Sequence, residues 1–192
     1  PDSPVDSVNA DTVGQFNATL SWIRGNGDKV LILLKKASAV DAAPETGNSY
    51  SANPEFSAGD ELGTGNFVIY NGTGTTVNIT NLSPDTTYYF EIFEYFESEL
   101  CYQDQGYTGS FTTLADPLII TQPGNATVCT GDSVSFLVEA TGSNPMSYQW
   151  KKDTETLSGE TDSILTIAET DSLDAGNDSC EISNDKGTAT RS

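Results

Sequence analysis

The sequence predicts an all-β protein made of two tandem β-sandwiches. Short apolar runs, alternating or continuous as in residues 30–34, are separated by turn-forming residues, and helical periodicity is hard to find. A chain of 192 residues suits two such domains, because one sandwich takes about 100 residues. Residues 115–117 separate two sets of strand patterns. We therefore place one domain at residues 1–115 and the other at residues 116–192.

The predicted strands of the first domain follow from the spacing of its apolar residues. In residues 16–22 every second side chain is apolar, which is typical of a strand with one buried face. A tight-turn sequence at residues 25–28 then leads into a continuous apolar strand. The predicted strands are residues 16–22, 30–36, 67–70, 76–80, 88–96 and 110–114. Residues 37–60 form a long irregular insert between the second and third strands.

Residues 82–92 are the most informative segment of the chain. Pro84 and Asp85 form a turn, after which Tyr88 and every second residue beyond it point to one face of a strand. A tyrosine directly after such a turn can enter the core and return its hydroxyl to the turn backbone, the tyrosine corner of β-sandwiches. We therefore expect Tyr88 to lie in the core of the first domain.

The first domain resembles the fibronectin type III family. The resemblance rests on Trp22, on the corner at residues 82–88 and on the closing segment at residues 109–113. It is most similar to a variant that recurs in large secreted and surface proteins of bacteria, which has a long insert and a stretch similar to residues 63–74. Glu94 departs from the family pattern, because it falls on the core face of its strand. We expect it to lie where that strand leaves the core.

A second set of strand patterns begins after Pro117 and resembles an immunoglobulin-like domain of the I-set kind. The matching segments are residues 118–121, 131–138, 148–152, 164–167 and 174–180. Trp150 takes the place of the family's core tryptophan. The signature before the penultimate strand has Asp178 where the family has a tyrosine, so we expect this domain to lack its own tyrosine corner. The chain ends within a strand pattern, and we expect the second domain to be C-terminally truncated.

The three cysteines of the chain are Cys101, Cys129 and Cys180. The immunoglobulin resemblance implies a bridge between two facing strands, but Val138 occupies the position twelve residues before Trp150 where the first cysteine belongs. Two outcomes stay open for the others. We prefer a disulfide between Cys129 and Cys180, with Cys129 on a strand that runs close to Cys180, and the alternative is two buried thiols. Cys101 is left over, and we expect it to be either a free thiol or paired with a cysteine outside the given sequence.

Composition excludes several classes of function. The chain carries 28 acidic and 8 basic residues, a net charge of −20, which disfavours contact with nucleic acid or an anionic membrane. It has no histidine, the usual general base at neutral pH, and no run of about 20 apolar residues for membrane insertion. We predict no catalytic residue, no metal site and no cofactor. Calcium at Asp171, Asp174 and Asp178 is an alternative to a solvated acidic face.

Six aromatic residues in and after the strand at residues 88–96 are candidates for ligand contact. They are Tyr89, Phe93, Tyr95, Phe96, Tyr102 and Tyr107. The odd-numbered positions of this strand alternate with its core positions, so their rings face away from the main core. Either the insert at residues 37–60 covers these rings, or they stay exposed and stack on sugars or fill pockets of a partner. Solvent-exposed rings would favour ligand contact, and buried rings would favour coverage by the insert.

These observations favour a non-catalytic structural and adhesive pair of modules in a larger exported bacterial protein, extracellular or on the cell surface. Its expected partners are other domains of the parent protein and a cell-surface protein or polysaccharide. The alternative is an accessory module of an extracellular glycan-degrading enzyme, which contacts carbohydrate through the aromatic residues.

Overall fold

The computed structural model describes residues 1–191, and these divide into two compact units, Pro1–Leu114 and the part from Ala115 onward. All regular secondary structure in the described part is β-strand. Two tandem sandwiches account for it, which confirms the predicted fold class. The same residues contain no helix with the length and apolar character needed to cross a bilayer.

The first unit is a sandwich of two antiparallel sheets. Its strands are β1 (Asp6–Val13), β2 (Ala18–Ile23), β3 (Lys29–Lys36), β4 (Glu61–Leu62), β5 (Asn66–Gly72), β6 (Thr76–Ile79), β7 (Thr87–Phe96), β8 (Cys101–Tyr102) and β9 (Tyr107–Thr112). The smaller sheet has the order β1-β2-β6. The larger sheet has the order β4-β5-β3-β7, and β8 and β9 both pair with β7. The sequence did not predict β1, because its side chains are mostly exposed and lack apolar alternation.

The tyrosine corner of the first unit is formed as predicted. Tyr88 is fully buried in the core between the two sheets, and its hydroxyl oxygen accepts a hydrogen bond from the backbone N–H of Ser83 at 2.9 Å. The turn places Asp85 at a φ of 47°, a left-handed conformation that aspartate tolerates better than most residues. The corner therefore ties the start of β7 to the turn that precedes it.

β3 is apolar without interruption because both of its faces are buried. Val30, Ile32 and Leu34 enter the core between the sheets. Leu31 and Leu33 enter a second cluster on the outer face of the larger sheet. The insert supplies three residues that pack against this second cluster: Val40, Ala42 and Tyr50. The insert thus acts as a cover for the larger sheet.

Glu94 is fully buried, so the expectation that its strand leaves the core there is wrong. Its carboxylate accepts hydrogen bonds from Nε and Nη2 of Arg24 at 3.0 and 3.1 Å. The backbone N–H groups of Gly25 and Gly27 donate to it at 2.7 and 3.1 Å. A Cβ atom at Gly25 would lie 2.1 Å from the carbonyl oxygen of Ser3, so this position requires glycine. The turn between β2 and β3 encloses the carboxylate, which is how the core accommodates its charge.

The second unit is a smaller sandwich. Its strands are β10 (Leu118–Thr121), β11 (Val134–Leu137), β12 (Glu139–Thr141), β13 (Ser147–Lys152), β14 (Glu155–Thr156), β15 (Ile164–Ile167), β16 (Asp178–Ser183) and β17 (Thr188–Arg191). One sheet has the order β14-β13-β16-β17, and the other layer consists of the pairs β11-β15 and β10-β12. Val138 separates β11 from β12.

The core of the second unit is one small cluster. Its buried members are Val138, Trp150, Leu165, Cys180 and Ile182. Trp150 is fully buried, as predicted, and its Nε1–H donates to the carbonyl oxygen of Asp162 at 2.9 Å. The indole therefore fills the centre of the unit and also fixes the segment that precedes β15.

Candidate functional site

Three of the candidate contact rings are buried in the second cluster of the first unit. Phe93, Tyr95 and Tyr102 expose 0%, 2% and 5% of their surface. The hydroxyl of Tyr95 donates to Oδ1 of Asn71 at 2.6 Å, and that of Tyr102 donates to the carbonyl oxygen of Asn48 at 2.9 Å. Burial raises the pKa of Tyr102 to about 12. The insert covers these three rings, which is the first of the two alternatives, and the structure leaves them no surface for the expected ligand contact.

Tyr89 and Tyr107 do not lie with the other three rings. Both are half-buried. Tyr107 stands opposite Ile92 in the pairing of β9 with β7 and packs against the core between the sheets. Phe96, the last residue of β7, is also half-buried. The structure therefore does not bring the six predicted rings together on one surface.

The predicted disulfide between Cys129 and Cys180 is absent, and all three cysteines, including Cys101, are free thiols. Cys180 is buried in β16 opposite Trp150, and burial raises the pKa of its thiol. Cys129 is exposed, so the alternative of two buried thiols is wrong as well. The disulfide needed Cys129 on a strand close to β16, and residues 122–133 form no strand.

The second unit has a cleft of about 370 Å³ between the segment before β11, β11 itself and the loop from β15 to β16. Six of the lining residues matter for its chemistry: Val128, Val134, Phe136, Asp171, Asp174 and Asp178. Val134 and Phe136 are half-buried and form the floor, and Val128 is exposed. An apolar floor and acidic walls therefore meet in one opening.

The cleft lies where the second unit lacks its tyrosine corner. Asp178 begins β16 at the position that Tyr88 holds in β7. The Tyr88 ring packs against Phe56 and Phe111, with centroid distances of 5.0 and 5.8 Å, whereas an aspartate is too short to fill an equivalent space. Oδ1 of Asp178 is buried and has no hydrogen-bond partner. The missing ring thus leaves both an opening and an unsatisfied carboxylate oxygen.

The acidic wall of the cleft is held in place by its own hydrogen bonds. The backbone N–H of Asp171 donates to Oδ2 of Asp174 at 2.8 Å, and that of Leu173 donates to Oδ1 of Asp171 at 2.6 Å. The hydroxyl of Thr170 donates to the carbonyl oxygen of Cys129 at 3.0 Å. This last bond joins the loop to the segment that forms the opposite wall, so the two walls are fixed relative to each other.

The charged groups around the cleft affect the pKa of Asp178, but none of them donates a hydrogen bond to its buried oxygen. Burial raises the pKa of Asp178, Lys152 opposes that shift, and the carboxylates of Asp153 and Asp174 raise it further. The ammonium group of Lys152 donates to the carbonyl oxygen of Leu173 and lies 4.0 Å from Oδ1 of Asp174. Lys152 is therefore bound to the loop and does not satisfy the buried oxygen of Asp178.

The sequence showed that Asp178 replaces the tyrosine of the family signature, but it did not indicate that a cleft forms there. The aspartate at position 178 was a clear departure from the immunoglobulin signature. The aspartate produces a cleft because Val134 and Phe136, both half-buried, line the space that a tyrosine ring would fill. In residues 1–191 no three Cys, Asp or Glu side chains form a group that could hold a metal ion.

Comparisons with known proteins agree with the fold of the second unit. Residues 116–184 match the sequence model of the immunoglobulin domain, which makes this unit immunoglobulin-like. No curated protein matches the chain. In the first unit, the strand order β1-β2-β6 against β5-β3-β7-β9 is that of a fibronectin type III-like sandwich.

Similar solved structures share little sequence with the chain. A three-domain immunoglobulin fragment of titin is 17% identical with a TM-score of 0.49, and the match covers 97% of this chain but only 63% of the fragment. A fibronectin type III domain of human collagen XX is 18% identical with a TM-score of 0.38, covering 58% of this chain and 91% of that domain. The amphioxus IgVJ-C2 molecule is 14% identical with a TM-score of 0.45, covering 94% of this chain and 96% of that molecule.

Proposed function

We propose that this tandem of a fibronectin type III-like and an immunoglobulin-like sandwich is a non-catalytic structural and adhesive segment of a larger exported bacterial protein. Domains of these two kinds commonly serve as adhesion or spacer modules of extracellular and cell-surface proteins. The partners we propose are other domains of the parent protein and a protein on a cell surface.

One observation carries the proposal: residues that the sequence offered for chemistry or contact serve the packing of the fold. Phe93, Tyr95 and Tyr102 are buried under the insert. Glu94 is enclosed by Arg24 and the turn between β2 and β3. The first unit therefore uses these aromatic and charged residues for its own packing, which supports a structural role.

Single-molecule stretching of the whole chain by its ends tests the structural part. We expect two separate unfolding events, with contour lengths of roughly 40 nm for the first unit and roughly 27 nm for the second, at about 3.5 Å per residue. Glu94→Ala should lower the force of the longer event alone. Asp185→Asn, at an exposed position, should change neither event. A single joint event, or extension without resistance in either unit, would overturn the structural role.

The alternative, an accessory module that contacts carbohydrate, has lost its main support, because three of the six candidate rings are buried. Tyr89 and Tyr107 keep partial exposure. Retention of the chain on immobilised polysaccharides, abolished by Tyr89→Ala or Tyr107→Ala, would favour that alternative. We expect no retention that depends on these two rings.

A further inference from the structure

We infer that the cleft of the second unit binds a cationic side chain, a lysine or an arginine presented by a partner protein. The inference deepens the adhesive part of the proposed function and rests on it, because it names the chemistry of the contact. Three features carry it: a carboxylate in the cleft lining with one buried, unpaired oxygen, an apolar floor and an acidic wall.

The unpaired oxygen requires a hydrogen-bond donor. Oδ1 of Asp178 is removed from water and has no partner, an arrangement that costs the free energy of a lost hydrogen bond. The atom has no exposed surface, so a donor in the cleft reaches it only after the Asp178 side chain turns towards the opening, and the bond formed then recovers that free energy. An ammonium or guanidinium group also neutralises the carboxylate, and such charge-assisted hydrogen bonds are roughly twice as strong as neutral ones.

The floor suits the stem of the same side chain. Val134 and Phe136 are half-buried and open to the cleft. Lysine and arginine lay their methylene groups along apolar surface while the charged end reaches a polar partner. The cleft of about 370 Å³ has room for one extended side chain.

The acidic wall adds charge complementarity. Asp171 and Asp174 line the cleft together with Asp178, and the chain as a whole carries a net charge of −20. This field draws a basic partner towards the surface. Lys152 does not occupy the site, because its ammonium group is bound to the carbonyl oxygen of Leu173.

Other occupants fit less well. Calcium takes six to eight oxygen ligands, whereas one oxygen of Asp171 and one of Asp174 already accept backbone N–H groups. A neutral aromatic ring would fill the space but leave the charge of Asp178 uncompensated. A cationic side chain satisfies the oxygen, the charge and the apolar floor together.

Peptide titration of the whole chain, followed by amide NMR, tests the inference. The probes are acetyl-Gly-Lys-Gly-amide and its arginine counterpart, and the matched neutral probes contain norleucine and citrulline. We expect the cationic peptides to shift amide signals of residues 126–136 and 170–178 and to bind at least about tenfold more tightly than their neutral counterparts. Equal affinity for the neutral peptides, or signal shifts confined to other residues, would overturn the inference.

Variants separate a specific site from general attraction to an acidic surface. Asp178→Asn should weaken cationic binding at least about tenfold. Asp185→Asn removes one exposed charge outside the cleft and should leave binding unchanged. Asp178→Tyr should fill the cleft and abolish binding while raising the thermal midpoint of the chain. Equal weakening by Asp178→Asn and Asp185→Asn, or full binding by Asp178→Tyr, would overturn the inference.

The two proposals fail separately. A chain that unfolds in two mechanical events but binds cationic and neutral peptides alike overturns only the cationic site. A chain that binds lysine peptides through Asp178 but unfolds in one joint event overturns the structural role and leaves the cationic site standing.

Discussion

Strands β7 and β16 hold corresponding places in their units, each between the central strand of its sheet and a later strand, and each carries an inward carboxylate. In β7 the carboxylate of Glu94 receives four hydrogen bonds, from Arg24 and from two glycine N–H groups. In β16 the buried oxygen Oδ1 of Asp178 receives none. A buried carboxylate whose oxygens accept hydrogen bonds from the protein stays ionised and contributes to the packing. A buried carboxylate oxygen without such donors tends instead to bind a proton or to accept a hydrogen bond from another molecule.

The first residues of β7 and β16 also differ in how well the space around them is filled. Tyr88 fills the corner of the first unit and holds the preceding turn through Ser83. Asp178 leaves the corner of the second unit open as a cleft. The same sandwich fold therefore has a filled corner that stabilises the first unit and an open corner, the cleft, in the second unit.

Glu94→Ala is expected to have the largest effect on this contrast. Removing the carboxylate leaves Arg24, whose side chain is only 19% exposed, without its counter-charge. Breaking such a buried pair costs about 3–5 kcal/mol of the free energy of unfolding, which urea denaturation of the first unit would measure. Glu97→Ala is the control, because Glu97 pairs with Lys29 at the surface and exposed ion pairs contribute little to stability. Equal losses would contradict the structural role of the Glu94 donors.

Val138→Cys should allow the second unit to form the disulfide bond that it lacks. Val138 and Cys180 are buried in the same cluster beside Trp150, so we expect them to form a disulfide and to add about 2–4 kcal/mol to the free energy of unfolding. Thiol titration should then find two thiols fewer than the variant sequence contains, and the thermal midpoint should fall when reductant is added. Val138→Ala, which cannot form the bond, should be destabilised. A full complement of titratable thiols would contradict the prediction.

The parts of the fold that could be predicted from sequence are those set by local pattern. Turn chemistry followed by alternation placed Tyr88 in its corner, and strand composition with the family resemblance placed Trp150 in its core. The continuous apolar run of β3 needed two burying layers, and the insert is the segment long enough to supply the second.

The parts that sequence reasoning missed depend on partners far along the chain. Glu94 is buried because Arg24, 70 residues earlier, reaches it, and no local pattern indicates that encounter. The pairing of Cys129 depended on whether residues 122–133 form a strand, which their composition does not decide. The cleft required knowledge of what surrounds Asp178, not only of the tyrosine it replaces.

Tyr88→Phe tests what the tyrosine hydroxyl contributes to the closed corner of the first unit. The variant keeps the ring but removes the oxygen that accepts the N–H of Ser83, so a half-buried donor loses its partner. We expect a loss of about 1–2 kcal/mol in the free energy of unfolding of the first unit. Tyr89→Phe, at the neighbouring half-buried position, should have a smaller effect. A loss no greater than that of Tyr89→Phe would mean that the Tyr88 ring alone stabilises the corner.

Asp178→Asn is expected to have the smallest effect on stability, with a sign opposite to that of Glu94→Ala. Burial raises the pKa of Asp178 in the folded state, so the folded protein holds this proton more tightly than the unfolded chain does. Stability contributed by the protonated form is present below the ordinary pKa of aspartate and is lost as pH rises through the raised folded pKa. At neutral pH the uncharged amide should therefore exceed the wild type in stability, by no more than about 1 kcal/mol.

Thermal midpoints of the wild type and of Asp178→Asn between pH 3 and pH 7 would test this sign. We expect the two midpoints to converge at about pH 3, where Asp178 is protonated in the folded and the unfolded chain, and to separate as pH rises. Asp185→Asn, a substitution at an exposed position, is the control and should change the thermal midpoint little. If the wild type were instead the more stable protein at neutral pH, the Asp178 carboxylate would have sufficient donors of its own. The open corner would then resemble the closed one at Glu94, and the cleft would offer no unsatisfied oxygen to a partner.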